Sequence, residues 1–218
     1  PAADRPSGAG APRTDLTLKW MIMNITEERT SEAIIVCGVP ASGKTTFARD
    51  LARQLHWTIL DLDTVTNPLF EHMGGEFLVD VPTAQPAARA SVNDIRYTCL
   101  FDTTRENLAL GNSVVVVAPF TSERTFPAAW ERLVERLAIP GPRVHLAWMD
   151  TPQGEVVRRM QLRGAARDLD KIKEPERFLS PEVTQPPGVA HIRIDGLLTP
   201  HEQIAHFLED FAGREAVR

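Results

Sequence analysis

The sequence predicts an α/β fold, a five-stranded, all-parallel sheet with helices on both faces, three layers in one domain. Three observations predict it. Short apolar runs alternate with longer stretches of helical periodicity, the pattern of βαβ units. The runs are continuous, "AIIVC" and "SVVVV" among them, as befits strands buried on both faces. The 218 residues, 43% hydrophobic and 24% charged, supply one sizeable core.

In chain order, residues 1 to about 15, "PAADRPSGAGAPRTD", are rich in Pro, Ala and Gly without periodicity. They predict a disordered tail reaching to about residue 30, ahead of a domain over 31–218. Met21 or Met23 is a candidate native start. "AIIVCG" (33–38) is the first strand and "KTTFARDLARQL" (44–55) the first helix. "WTILD" (57–61) is a second strand, and "SVNDIRYTCLFDTTRENLALG" (91–111) a long helix stopped by Gly111. "SVVVVAPF" (113–120) is the third strand, followed by a helical pattern over 122–138 in which Pro127 must start a turn or a kink. "RVHLAWMD" (143–150) is the fourth strand. Thr151 and Pro152 open the helix over 151–164 as N-cap and first residue. "HIRID" (191–195) is the fifth strand and "HEQIAHFLEDFAG" (201–213) the closing helix.

Composition excludes several classes. With 24 Lys+Arg against 29 Asp+Glu, the net charge of −5 offers no global attraction for nucleic acid or an anionic membrane. No run of about 18 uncharged apolar residues marks a membrane span. "LTLKWMIMNI" is too short, and too interrupted by Lys19 and Asn24, for a signal-peptide core. Cys37 and Cys99 read as buried structural thiols, which suits a reducing cytoplasm. The expectation is a cytoplasmic protein, monomeric or weakly homodimeric. Trp57, Trp130 and Trp148 lie on apolar faces and read as core.

The chemistry is concentrated in "GVPASGKTTF", residues 38–47, which contains GxxxxGK[ST] as Gly38, Gly43, Lys44 and Thr45. Backbone N–H groups over Ala41, Ser42, Gly43, Lys44, Thr45 and Thr46 can turn inward on phosphate oxygens, aided by the positive end of the following helix. Lys44 reaches the β- and γ-phosphates of a nucleoside triphosphate, and the Thr45 hydroxyl ligates Mg²⁺. In "ILDLDTVTNPLF", Asp61 and Asp63 follow the second strand, at the sheet edge where ligands of parallel sheets bind. Asp61 suits Mg²⁺. Asp63 suits the deprotonation of a hydroxyl nucleophile, and it also stands where it could cap a helix over 64–70.

With these residues the chain resembles the small-molecule kinases of the P-loop NTPase superfamily. They include the shikimate and gluconate kinases and the chloramphenicol-phosphotransferase, zeta-toxin and polynucleotide-kinase relatives. The resemblance implies a P-loop sandwich with a short helical lid, ATP as donor, and Mg²⁺. In shikimate kinases the first acid of a D-x-D pair serves the metal and the second the substrate hydroxyl, positions held here by Asp61 and Asp63. Gluconate kinases are similar over "DLDTVTNPLFEHMGG", although their His-Pro is replaced by Asn67-Pro68. The strand "VVVVAPF" ends in Ala118-Pro119, without the acid that many P-loop proteins carry there, which leaves Asp61 to assist Thr45 with the metal. "APFTSE" resembles the acceptor side of such kinases. That implies Thr121, Ser122, Glu123 and Arg124 as pocket residues, with Arg89 or Arg96 for an anionic acceptor and His72 as a weaker candidate.

In "VVRRMQLRGAARDLDKIK", Arg159, Arg163 and Arg167 recur every four residues, so a helix continued through Gly164 would carry all three on one face. Three guanidinium groups without an acid between them call for an anion nearby. "RxxxRGxxRD" resembles the lid of polynucleotide-kinase and zeta-toxin relatives, over about 158–180, with Gly164 as hinge. Arg163 is the first choice for the transferred phosphoryl group and Arg159 the second. The reading is thus an ATP-dependent phosphotransferase acting on a hydroxyl of a small molecule. Two alternatives stand beside it, a 5′-hydroxyl polynucleotide kinase and a toxin-like regulatory ATPase.

Overall fold

The computed structural model describes residues 31–72, 86–137, 143–165 and 168–216. Five strands form the sheet: β1 (Glu32–Cys37), β2 (Thr58–Asp61), β3 (Val114–Val117), β4 (Arg143–Asp150) and β5 (Ile192–Asp195). All pair in parallel, in the order β2-β3-β1-β4-β5. The helices are α1 (Lys44–Leu55), α2 (Leu62–His72), α3 (Pro86–Ala109), α4 (Thr121–Thr125), α5 (Pro127–Leu137), α6 (Gln153–Arg163), α7 (Leu169–Lys173), α8 (Pro175–Phe178), α9 (Pro181–Thr184) and α10 (Pro200–Ala216).

Successive side chains of a strand face opposite ways, so β1 feeds two cores. Ala33, Ile35 and Cys37 pack with Leu100, Phe101 and Leu108 of α3 and Leu133 and Leu137 of α5. Ile34 and Val36 pack with Phe47, Ala48 and Leu51 of α1 and Phe207 of α10. Phe47 meets Phe207 edge-on with centroids 5.5 Å apart, a contact that contributes about 0.5–1.5 kcal/mol beyond its buried area. Both faces are covered, which is why the strands read as continuous apolar runs. Trp148 is buried, and Trp57 and Trp130 pack against the two cores.

Four expectations need correction. The segment 122–138 is two helices, because Phe126 takes an extended backbone and Pro127, lacking an N–H, begins the second. Cys99 is exposed. The buried face of α3 runs through Leu100, Phe101, Thr104 and Leu108, and position 99 falls outside that stripe. Only Cys37 is a buried thiol, pushed up to about 12 by desolvation. The third correction concerns the cap before α2, which is Asp61 and not Asp63. Asp61 Oδ1 accepts from the N–H groups of Asp63 at 2.9 Å and Thr64 at 3.2 Å. Finally, α6 starts at Gln153 with Pro152 as its N-cap, the Thr151 hydroxyl donating to Ser42 O instead. It stops at Arg163, since Gly164 adopts φ 60° and its N–H bonds Met160 O. The arginine stripe therefore does not continue along one helix. Arg167, residues 1–30, the turn at Met73–Gly75 and the side chain of Arg89 lie outside the described residues. Among those described, no helix is long and apolar enough to cross a membrane.

Candidate active site

β1 delivers the chain into the loop at the C-terminal edge of the sheet, and α1 carries it away. Two glycines there have φ in the left-handed region, Gly38 at 145° and Gly43 at 106°. A Cβ on Gly38 would stand 3.0 Å from both Met149 O and Ser42 Oγ, so the turn closes only without a side chain. The buried Ser42 turns its carbonyl to two donors, the Thr151 hydroxyl and Arg159 Nη1, each at 2.9 Å. Those bonds clamp the loop against the start and the body of α6.

Lys44 opens α1 and folds back over the loop, its Nζ donating to Val39 O at 2.7 Å. Burial pushes its ammonium group down to about 8; the Asp61 and Asp63 charges pull upward, and the Arg163 charge adds to the depression. The charges of Asp61, Asp63 and Arg163 thus reach one lysine from three elements.

Register explains why Asp61 lies beside the loop. Asp61 pairs with Val117 and Val117 with Val36, so the carboxylate stands level with the end of β1. Its Oδ2 accepts from the Thr45 hydroxyl at 2.9 Å while Oδ1 caps α2. The result is an all-oxygen pair at the foot of the loop, a donor set suited to Mg²⁺.

Asp63 lies two residues on, over the cleft, with its side chain 54% exposed. Arg96 of α3 holds it, Nη2 standing 2.8 Å from Asp63 Oδ1 and 2.8 Å from Asn67 Oδ1, while Nε donates to Thr66 Oγ1 at 2.9 Å. Arg96 is thereby committed to orienting one acid. On the opposite wall, Thr121, Ser122 and Glu123 of α4 line the same cleft. Burial pushes the Glu123 carboxyl above the ordinary carboxylate range, against the pull of its own backbone amide and of Arg132. The hydroxyl of the half-buried Tyr97 accepts from Phe120 N–H at 3.2 Å and fixes the start of α4. Its own ionisation is pushed up, chiefly by burial.

Arg124 departs from expectation. It is 2% exposed and turns into the protein, donating to the carbonyls of Val183 and Gln185. It is a structural anchor, because helical periodicity over α4 points it away from Glu123. His72 is exposed at the end of α2.

The two described arginines of the stripe divide. Arg159 makes three contacts, Nε to Glu155 at 2.7 Å, Nη1 to Ser42 O at 2.9 Å and Nη2 to Gly196 O at 2.6 Å. Arg163 pairs with Asp168, Nε at 2.8 Å and Nη2 at 2.6 Å from Oδ2. The anion that the stripe requires is therefore supplied within the chain. Glu155 supplies it on one side, its carboxyl drawn down to about 2 by hydrogen bonds from Arg158 and Arg159. Asp168 supplies it on the other. The i,i+4 spacing of Glu155 and Arg159 was visible in the sequence; the role of Asp168 was not, since it depends on how the chain returns after Gly164.

The loop, both carboxylates, Arg96, Glu123, Arg159 and Arg163 border one open cleft of about 1170 Å³. Gly38 and Ser42 are buried and do not border it.

Comparison with curated proteins finds no match. Solved structures match in fold. The shikimate kinase from Aquifex aeolicus is 20% identical, with a TM-score of 0.55 over 84% of this chain and 98% of that one. A sugar kinase from Janibacter sp. HTCC2649 is 19% identical, TM-score 0.56, over 82% of this chain and 93% of that one. A gluconokinase from Sinorhizobium meliloti 1021 is 18% identical, TM-score 0.52, over 86% and 99%. What is shared with these small-molecule kinases is the five-stranded parallel sheet with helices on both sides. The family described as AAA domain matches residues 34–178, from β1 and the phosphate loop to the end of α8. With that match covering more than half of its length, the chain belongs to the AAA domain family of P-loop proteins.

Proposed function

We propose that the protein is an ATP- and Mg²⁺-dependent phosphotransferase that moves the γ-phosphoryl group to a hydroxyl of a small molecule. One observation carries the reading. The Thr45–Asp61 pair at 2.9 Å lies at the foot of the phosphate loop, and Asp63 stands two residues away over the same cleft. A phosphate grip alone suits any nucleotide-binding protein; a second, exposed and oriented carboxylate suits a hydroxyl acceptor.

In this reading the loop amides over 41–46 and Lys44 hold the phosphates. Lys44 gives up its contact with Val39 O to do so. Thr45 and Asp61 would hold Mg²⁺, which would supply neutralisation of phosphate charge. Asp63 takes the acceptor's hydroxyl proton as that oxygen forms its bond to the γ-phosphorus. The bond from phosphorus to the bridging oxygen breaks, ADP departs, and the proton passes from Asp63 to solvent. Arg163 stabilises charge on the phosphoryl oxygens. Arg159, whose nitrogens already serve Glu155, Ser42 and Gly196, holds the loop in shape. The segment 158–180 is the lid, and Thr121, Ser122 and Glu123 face the acceptor.

The test is ADP release from Mg-ATP against a panel of sugars, polyols, hydroxy acids, aminoglycosides, nucleosides and 5′-hydroxyl oligonucleotides. One class of small hydroxylated compound should raise the rate well above background. A panel that leaves the rate flat while ADP still binds refutes phosphotransfer in favour of a regulatory ATPase. Stimulation by oligonucleotides alone moves the acceptor to a polynucleotide end.

A further inference from the structure

We infer that Asp168 is a positioning residue for phosphoryl transfer, fixing the guanidinium of Arg163 so that its unused N–H groups face the phosphate site. The inference rests on the phosphotransfer reading above. The pair is asymmetric: the Asp168 side chain is 1% exposed and that of Arg163 is 36% exposed. The acid is the fixed member, and its backbone N–H is tied to Ala165 O at 2.9 Å.

Both contacts from Arg163 converge on Oδ2, while the buried Oδ1 has no hydrogen-bond partner. Among the described residues, no second donor competes for the carboxylate. A guanidinium has five N–H groups in one rigid plane. Engaging Nε and one N–H of Nη2 sets that plane and leaves the other three for an anion. Among the described residues, the hydrogen bond and the ion pair of the Arg163 side chain both go to Asp168. Arg159 differs, with all three of its nitrogens directed to protein acceptors. Arg163, Asp168 and Lys44 border the same cleft, and the Arg163 charge acts on Lys44.

The pairing persists when phosphate is present. Withdrawing Arg163 would leave a buried carboxylate without a counter-ion, which is strongly unfavourable. Phosphate is thus met by an arginine already oriented, and no side-chain search is needed at that step.

The experiment compares binding of ADP alone with binding of ADP plus aluminium fluoride and Mg²⁺, a mimic of the phosphoryl group in transit. Wild-type protein should bind the mimic about 10²-fold or more tightly than ADP alone. Asp168→Asn should reduce that gain by about tenfold or more while leaving affinity for ADP within about twofold. Thermal melting reports whether the variant folds. Arg163→Lys, at a half-exposed position, keeps the charge without the planar fork, and should lose as much of the gain as Arg163→Ala. A folded Asp168→Asn protein with the full gain overturns the inference. So does full gain in Arg163→Lys, the deciding variant if Asp168→Asn does not fold. Wild-type protein showing no gain sinks the phosphotransfer reading itself, and the positioning role with it.

Discussion

Replacing Arg159 by alanine separates a clamp from a phosphate contact. The guanidinium bridges Glu155 of α6, the carbonyl of Ser42 in the loop and the carbonyl of Gly196 after β5. Two of these acceptors are backbone carbonyls on separate segments, both part-buried. A hydrogen bond from a charged donor contributes about 1.5 kcal/mol at the low end, so the two together contribute about 3 kcal/mol. Nothing is added for the Glu155 contact, which solvent screens. At about 2–4 °C per kcal/mol for a domain of this size, the nucleotide-free variant should melt about 6–12 °C below wild type. Differential scanning fluorimetry without nucleotide measures the shift, and calorimetry measures ADP binding. A clamp predicts both the melting shift and weaker ADP binding, because the loop loses its brace. A nucleotide-free melting temperature within about 1 °C of wild type, where a loss of 3 kcal/mol would be plain, would falsify the clamp and return Arg159 to direct phosphate contact.

Three further expectations follow from the same geometry. Lys44 titrates near 8 in the free protein, below its ordinary 10.5. If phosphate binds the ammonium form, affinity for ADP should be flat well below that pH and fall about fivefold between pH 8 and pH 9. A Lys44→Ala variant should lose this dependence, and the same fall in the variant would assign it elsewhere. Asp63→Asn should abolish stimulation by the true acceptor while ADP binding stays within about twofold; retained stimulation shows that another group takes the proton. Gly43→Ala forces a side chain onto φ 106° and within 3.2 Å of Arg159 Nη1, a strain of about 1–3 kcal/mol that should weaken ADP binding. Gly154→Ala, where an added Cβ meets nothing within 4 Å, is the control.

The sheet was legible because strands buried on both faces leave no alternation, as in "AIIVC" and "VVVV". Their spatial order was not, since βαβ spacing does not say which edge each crossover joins. The phosphate loop was legible from four residues, its backbone conformation being tied to Gly38 and Gly43. Asp61 and Asp63 could be placed beside it by chain order alone, but the division of labour could not. That one Asp61 oxygen caps α2 and the other meets Thr45 is a matter of register. Periodicity misled twice for one reason, that an extrapolated helix keeps its face. Gly164 ends α6 before Arg167, and the turn at Phe126 ends α4; Arg124, assigned to the pocket by resemblance, faces inward instead. Asp168 stood in the quoted lid motif, but its pairing was invisible because its partner is reached through a change of chain direction and not through helical spacing.

The inward turn of Arg124 has a consequence for the segment that follows α6. Its guanidinium holds Val183 and Gln185, and Gly188 N–H bonds Arg124 O at 2.8 Å, so residues 183–188 are sewn to α4. At the other end Gly164 N–H is fixed to Met160 O. A stretch pinned at both ends samples far fewer arrangements than a free arm, and the entropy of closing it rises only with the logarithm of its length. Most of that ordering was settled when the domain folded. A ligand therefore meets helices α7–α9 already held between two anchors, one of which is also the wall of the cleft.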